Sequence, residues 1–183
     1  MADPLDLVTL EEAQEALKTT EDLSAAITRV SRIIREWIGP IIHESIQEHL
    51  DGGASHLFLT YYPVVPGTVT VTDRYTGAQE TAIFVFEDGG MVEHERYDRW
   101  PSGARRFRVE YMAGYAADVA SVPAGIKKAV FIMLRQEMTG GEEGKEIVRE
   151  SIGDWSVEYS TPGEGPAVDP VEKYLEPFRR VRV

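Results

Sequence analysis

The apolar positions early in the chain recur at helical spacing. Leu23, Ala26, Ile27, Val30, Ile33, Ile34, Trp37, Ile38, Ile41 and Ile42 repeat every three or four residues, with Arg29, Arg32, Arg35 and Glu36 on the opposite face. Ahead of them Thr9-Leu10-Glu11-Glu12 has the form of a capping box, which predicts a short helix over about 9–18. Gly39-Pro40 interrupts the stripe, because proline removes a backbone donor and disfavours helix in the residue before it. The phase of the stripe survives. The spacing therefore predicts one helix over about 22–50, kinked or restarted at Pro40 and ended by Asp51-Gly52-Gly53. Its Ile27, Val30, Ile34 and Trp37 are expected to pack on Val130, Met133 and Leu134 of a later helix.

From about 56 to 115 the period changes to two. Leu57-Phe58-Leu59, Thr68-Val69-Thr70-Val71-Thr72, Ala82-Ile83-Phe84-Val85-Phe86 and Phe107-Arg108-Val109-Glu110-Tyr111 are β-branched and aromatic, separated by Pro and Gly turn signals. They predict an antiparallel meander or set of hairpins. Helix returns over about 123–139, introduced by Pro123 and ended by Gly140-Gly141. Residues 152–160 read as one short strand, 161–170 as a Pro/Gly linker, and 171–175 as a short helix. The expected fold class is α+β. It is a helical bundle, with a long N-terminal amphipathic helix and a helix near 123–138, an inserted antiparallel β-hairpin or meander, and an extended C-terminal arm. Residues 1–160 form the expected domain, and 161–183 the linker and docking arm.

Composition removes several kinds of chemistry. The 183 residues include no cysteine, which excludes a disulfide scaffold, a thiol nucleophile and a thiolate metal site. His43-Glu44-Ser45-Ile46-Gln47 lacks the second histidine of a zinc-protease helix. Gly140-Gly141-Glu142-Glu143-Gly144-Lys145 has neither the spacing nor the hydroxyl of a phosphate loop, and its glutamates would repel phosphate. No Gly-x-Ser-x-Gly elbow is present. Paired acids such as Glu87-Asp88 are what 31 acidic residues produce by chance on a solvated face. No enzymatic activity, cofactor or metal is expected. The net charge of −12 disfavours a phosphate-backbone reader. No apolar run is long enough for a membrane span, and the acidic opening Met1-Ala2-Asp3-Pro4-Leu5-Asp6 does not read as a secretory signal.

Two stretches run against the charge of the whole. Residues 96–108 hold Arg96, Arg99, Arg105, Arg106 and Arg108 against one acid, Asp98, beside Tyr97 and Trp100. The C-terminal stretch combines Tyr174, Phe178, Arg179, Arg180 and Arg182. Arginine with aromatic side chains is enriched at protein interfaces, so these are the candidate contact residues. The plainer reading of each is packing on its own domain. Deleting 171–183 is expected to leave the melting temperature nearly unchanged while abolishing docking.

Taken in order, several segments resemble the head-to-tail connector, or adaptor, proteins of tailed bacteriophages. They are Leu7-Val8-Thr9-Leu10-Glu11-Glu12-Ala13, the helix bearing Trp37-Ile38, Tyr62-Pro63-Val64-Val65, Val109-Glu110-Tyr111-Met112-Ala113-Gly114-Tyr115, Val122-Pro123-Ala124, Ile152-Gly153-Asp154-Trp155-Ser156-Val157 and Leu175 with Phe178-Arg179-Arg180. The stretch from about 74 to 106 is longer than the family's usual hairpin. The resemblance implies a non-enzymatic virion protein, made in the host cytoplasm. It would assemble as a ring, usually a dodecamer, beneath the portal protein at the neck. Such a ring extends the DNA channel and carries the stopper or tail protein, with DNA passing through without sequence-specific binding. A negative lumen would follow from the acidic excess. A head-closure stopper or tail terminator is the alternative, and an acidic soluble enzyme the outsider.

Overall fold

At Gly39 the backbone enters the left-handed region, at φ +88°, and Pro40 follows. The helix before them stops there. The structure is a computed structural model describing residues 3–96, 98–138, 149–152, 155–158 and 170–179. Its chain divides into two compact units, residues 1–38 with 118–183, and residues 39–117. The α+β class is observed, with four α-helices and antiparallel sheets among the described residues.

The first unit holds α1 (Leu10–Leu17), α2 (Ser24–Ile38), α3 (Ala124–Met138) and α4 (Pro170–Leu175). The capping box at Thr9 is formed: Glu12 N–H donates to Thr9 Oγ1 at 3.1 Å, and Thr9 N–H to Glu12 Oε2 at 2.9 Å. Both α1 and α2 pack on α3. Ile27, Val30 and Ile34 of α2 are buried, as are Ile126, Val130 and Leu134 of α3. Ion pairs tie the same helices at their rims, Lys127 to Glu12 at 2.7 Å and Arg29 to Glu137 at 2.6 Å. Ahead of α1, the Leu7 N–H donates to the buried Ser31 hydroxyl on α2 at 3.1 Å.

Trp37 does not join this core; it is 55% exposed. At about 100° per residue, Ile27, Ile34 and Ile38 fall within about 40° of one another, whereas Trp37 lies about 80° to the side of Ile27. Ile38 takes the last buried place on α2.

The predicted helix over 22–50 is corrected in its second half. Residues Glu44–Gly52 form strand β1. With β2 (His56–Phe58), β3 (Thr70–Asp73), β4 (Gln79–Glu80), β5 (Ile83–Phe86), β6 (Met91–His94) and β7 (Gly103–Ala113) it builds the second unit. One sheet has the order β1-β7-β3-β4 and the other β2-β6-β5, with all pairs antiparallel. This is more than an inserted hairpin. The core cluster comprises Leu57, Leu59, Val64, Val71, Val92, Trp100, Phe107, Val109, Tyr111 and Ala113. In β1, Ile46 and Leu50 pack against it from the pairs Ile46↔Tyr111 and Leu50↔Phe107. Between them Glu48 shares that face, because its partner Val109 is buried. Its carboxylate accepts the Tyr111 hydroxyl at 2.8 Å and the Thr60 N–H at 3.0 Å. Gly52 closes β1 where no other residue fits, since a Cβ would stand 1.9 Å from the Pro101 carbonyl oxygen.

In place of the single strand expected over 152–160, residues 149–158 contain a two-stranded hairpin of β8 (Arg149–Ile152) and β9 (Trp155–Glu158). The linker at 161–169 lies outside the described residues.

Two substitutions separate the buried stripe from its edge. Ile34→Ala should cost about 2–4 kcal/mol in chemical denaturation, and Trp37→Ala less than about 1 kcal/mol. Equal losses would show that Trp37 belongs to the core.

Candidate functional site

The arginine-rich stretch runs into β7, an interior strand of the four-stranded sheet. Alternation on β7 sends Phe107, Val109, Tyr111 and Ala113 inward, leaving Arg106, Arg108 and Glu110 between them. Arg106 is spoken for. Its Nε and Nη2 donate to Asp73 Oδ2 at 3.0 and 2.6 Å, its Nη1 to the Ser102 carbonyl at 2.9 Å, and its guanidinium lies 5.2 Å from the Tyr75 ring centre. Arg105 is exposed at φ +46°, its N–H held by Asp51 and its carbonyl accepting Arg74 Nη1 at 2.9 Å. Partial burial, and then the charges of Arg74, Arg105 and Arg108, hold the His49 imidazole below its ordinary range.

Trp100 is corrected as a contact residue. It is 1% exposed, edge-on to Phe107 at 4.8 Å and to His94 at 5.2 Å, and its indole N–H donates to the Val92 carbonyl at 3.2 Å. It is a pillar of the core because both its ring and its polar tip find partners inside. Arg96 and Arg99 are exposed. Tyr97, Arg180 and Arg182 lie outside the described residues.

The C-terminal segment, expected to leave the domain body, lies on α3 over residues 170–179. Val171 and Leu175 are each 3% exposed, Lys128 Nζ stands 5.1 Å from the Tyr174 ring centre, and the Phe178 ring lies close beside Gly125. Arg179 pairs with Glu172 at 3.1 Å. Within this unit Trp37, Ile38, Leu175, Glu172, Glu176 and Arg179 line a groove of about 410 Å³.

Sequence reasoning missed one surface altogether. The three-stranded sheet turns Leu57, Val92 and Val85, which are in register, toward the core. Its other face carries the registered row Phe58–Met91–Phe86 and, beside it, His56–Glu93–Phe84. Phe58 is 54% exposed, Phe84 53% and Phe86 38%, and the Phe84 and Phe86 rings meet edge-on at 4.8 Å. The available signal was Ile83-Phe84-Val85-Phe86 itself, apolar on both faces of a strand that has core on one side only.

The described residues contain no group of three or more His, Asp or Glu side chains able to hold a metal ion. None of the described helices is long and apolar enough to cross a membrane. The described residues present both charged and apolar side chains at the surface.

Comparison with solved structures finds this fold in phage-like particles. A chain from the neck of an empty gene transfer agent (GTA) particle, computed with C6 symmetry, superposes with a TM-score of 0.60 at 18% identity, covering 100% of this chain and 94% of the other. A chain from the neck of the native GTA particle, computed with C12 symmetry, gives 0.61 at 17% identity, with the same coverage. A chain from the virion of the native particle gives 0.59 at 18% identity, again with 100% and 94% covered. The chain shares the fold of these neck chains. The likeness spans the whole chain and agrees with the sequence resemblance to head-to-tail connectors. No family model matches the sequence, and no curated protein does.

The two best-held segments can each be tested by removal. Arg106's hydrogen bonds, outweighing burial, hold the Asp73 carboxyl below its ordinary range. The stability this contributes is present above the unfolded-chain value near ~3.9 and is lost as pH falls through the lower folded value. Asp73→Ala should therefore cost about 1.5–3 kcal/mol at neutral pH, and less in acid titrations monitored by circular dichroism below that window. At the other end, Leu175→Ala should cost about 2–4 kcal/mol, and removal of 171–183 should lower the melting temperature. An unchanged melting curve would mean the segment does not support α3.

Proposed function

We propose that this chain is a subunit of a head-to-tail connector ring, seated beneath the portal protein and carrying the stopper or tail protein below. The observation that supports this reading most is the full-length likeness to neck chains of a phage-like particle. A dodecamer accords with the C12 symmetry of one of those necks. The role is structural rather than enzymatic: the site offers interfaces, and the Arg106–Asp73 ion pair serves the fold.

The net charge of −12 suits a conduit. Walls of like sign repel the phosphate backbone, so DNA passes without sticking and without its sequence being read. The domain body of 1–160 supplies the ring, and the 161–183 segment contributes a contact to portal or to a neighbouring subunit. Since Val171 and Leu175 already serve the fold, that contact falls to exposed side chains such as Arg179.

The experiment adds the purified full chain to DNA-filled, portal-bearing heads that lack it and images the vertex. The expected result is a ring of density directly beneath the portal, with a DNA-wide lumen lined by net negative charge. Density that appears only after another neck component has bound would make the chain a stopper or terminator. A strongly basic lumen would overturn the conduit argument.

A further inference from the structure

The outward face of the three-stranded sheet joins exposed aromatic rings to unpaired acids. Phe58, Phe84 and Phe86 stand in solvent, and a contiguous apolar patch of this kind marks a contact surface. Glu95 lies on the same side, because its N–H donates to the Ala82 carbonyl at 2.9 Å and so continues the β5–β6 pairing two residues past Glu93. Glu87 and Asp88 follow Phe86 in a single 3-10 turn. Glu93 is bonded to His56, but no cation pairs with Glu87, Asp88 or Glu95 among the described residues. Two such faces brought together would oppose like charges, so the face is unsuited to seat on its own copy.

The other side of the same unit carries the opposite sign. Inward rows of both sheets enter one core cluster, so their outward faces point away from each other. On the four-stranded sheet the registered row His49–Arg108–Thr72 alternates with the buried Phe107 and Val109 and therefore lies outward. Arg74, two residues past Thr72, extends that side, and its Nη1 donates to the Arg105 carbonyl at 2.9 Å. The charges of Arg74, Arg105 and Arg108 all act on His49. Glu110 stands 3.8 Å from Arg108, and the Asp51 carboxylate accepts the Arg105 N–H. The guanidinium groups of Arg74 and Arg105 have no carboxylate partner among the described residues. Tyr75, next to Arg74 in the chain, is 65% exposed.

These features select the occupant. An acidic aromatic face needs a partner that offers both apolar surface and cations not already engaged. Outside the face, the large exposed apolar side chains among the described residues are Trp37, Tyr75 and Met138. Trp37 lines a groove with Glu172 and Glu176, whose acids would meet acids, and Arg179 there is already paired to Glu172. Met138 follows Arg135 and Glu137 on α3, and both of these are engaged within the chain. Tyr75 stands beside Arg74 and Arg105, which are not paired to acids. Subunits around a cyclic axis meet head to tail through two unlike patches, and two opposite faces of one unit satisfy that geometry.

We propose that the Phe58–Phe84–Phe86 face of one copy seats against the Arg74–Tyr75–Arg105 surface of the next, and that this contact closes the ring. It rests on the reading of the chain as a ring subunit and names the surfaces that reading requires. The aromatic side chains supply affinity, and the opposed charges set partner and register.

The cysteine-free sequence allows a direct test. Full-length chains carrying Phe84→Cys, Tyr75→Cys or both are assembled on portal-bearing particles, treated with a flexible bis-maleimide and run on denaturing gels. The double variant should give a ladder of covalent oligomers. A mixture of the two single variants should stop at dimers, and each single variant alone should remain monomeric. As a second readout, Asp88→Lys with Glu95→Lys should keep the melting temperature and lower ring yield about tenfold or more, as should Arg74→Glu with Arg105→Glu. All four exchanges together should restore the ring.

Dimers from Phe84→Cys alone would overturn the proposal, because the face would then meet its own copy. So would imaged rings whose double variant gives no ladder. In those rings, a Phe84→Cys thiol shielded from the reagent would assign the face to another neck protein, and one that reacts freely would leave it open to solvent. In each of these cases the ring reading would stand. Absence of any ring beneath the portal would sink that reading and this contact with it.

Discussion

The second unit depends on the pairing of β7 with its two neighbours. β7 is eleven residues long and antiparallel to β1 on one side and β3 on the other. Its inward row, Phe107, Val109, Tyr111 and Ala113, is the middle of the core cluster. Removing β7 would leave β1 and β3 with no common partner and Trp100 without the Phe107 ring it packs on. The polar arrangements follow from the same strand. Glu48 can sit on a core-facing row because Tyr111 brings its hydroxyl there, and Arg106 reaches Asp73 because β3 and β7 pair Asp73 with Phe107. The buried Asp73 carboxylate is costly to leave unpaired, so its pairing with Arg106 depends on the strand register being held.

What was legible in the sequence, and what was not, divides along physical lines. The capping box at Thr9, the buried stripe through Ile34 and the helix after Pro123 each rest on local signals that tertiary contacts reinforce, and each is present. β1 was not legible. Its core-facing row reads Ile46, Glu48, Leu50, and a carboxylate at the centre of an apolar row breaks the alternation that identifies a strand. Ile46 and Leu50, four apart, satisfy a helical period equally well. The deciding partners lie some sixty residues away on β7, beyond the reach of any local pattern.

The candidate contact residues show the same division. Composition picked out arginine with aromatics between 96 and 108, but it could not tell a surface pair from an internal one. Trp100 finds partners for its ring and its indole N–H inside the core, and Arg106 is held by Asp73 and Ser102. The phenylalanines of β2 and β5 passed unnoticed because an apolar strand reads as buried until its sheet is known to have one free face. Sequence pattern identifies which residues are apolar; topology decides which of them are left outside.

Charge then limits how copies of this chain can associate. At −12 each, two copies repel wherever their acidic surfaces approach, and screening confines that repulsion to about 8 Å at physiological ionic strength. A contact that excludes water over aromatic side chains acts inside that range, where dispersion and apolar burial gain most from close fit. Arginines already engaged within a copy, as Arg106 is with Asp73, contribute little to attraction between copies. Contact between copies of this chain therefore depends on apolar burial more than on charge.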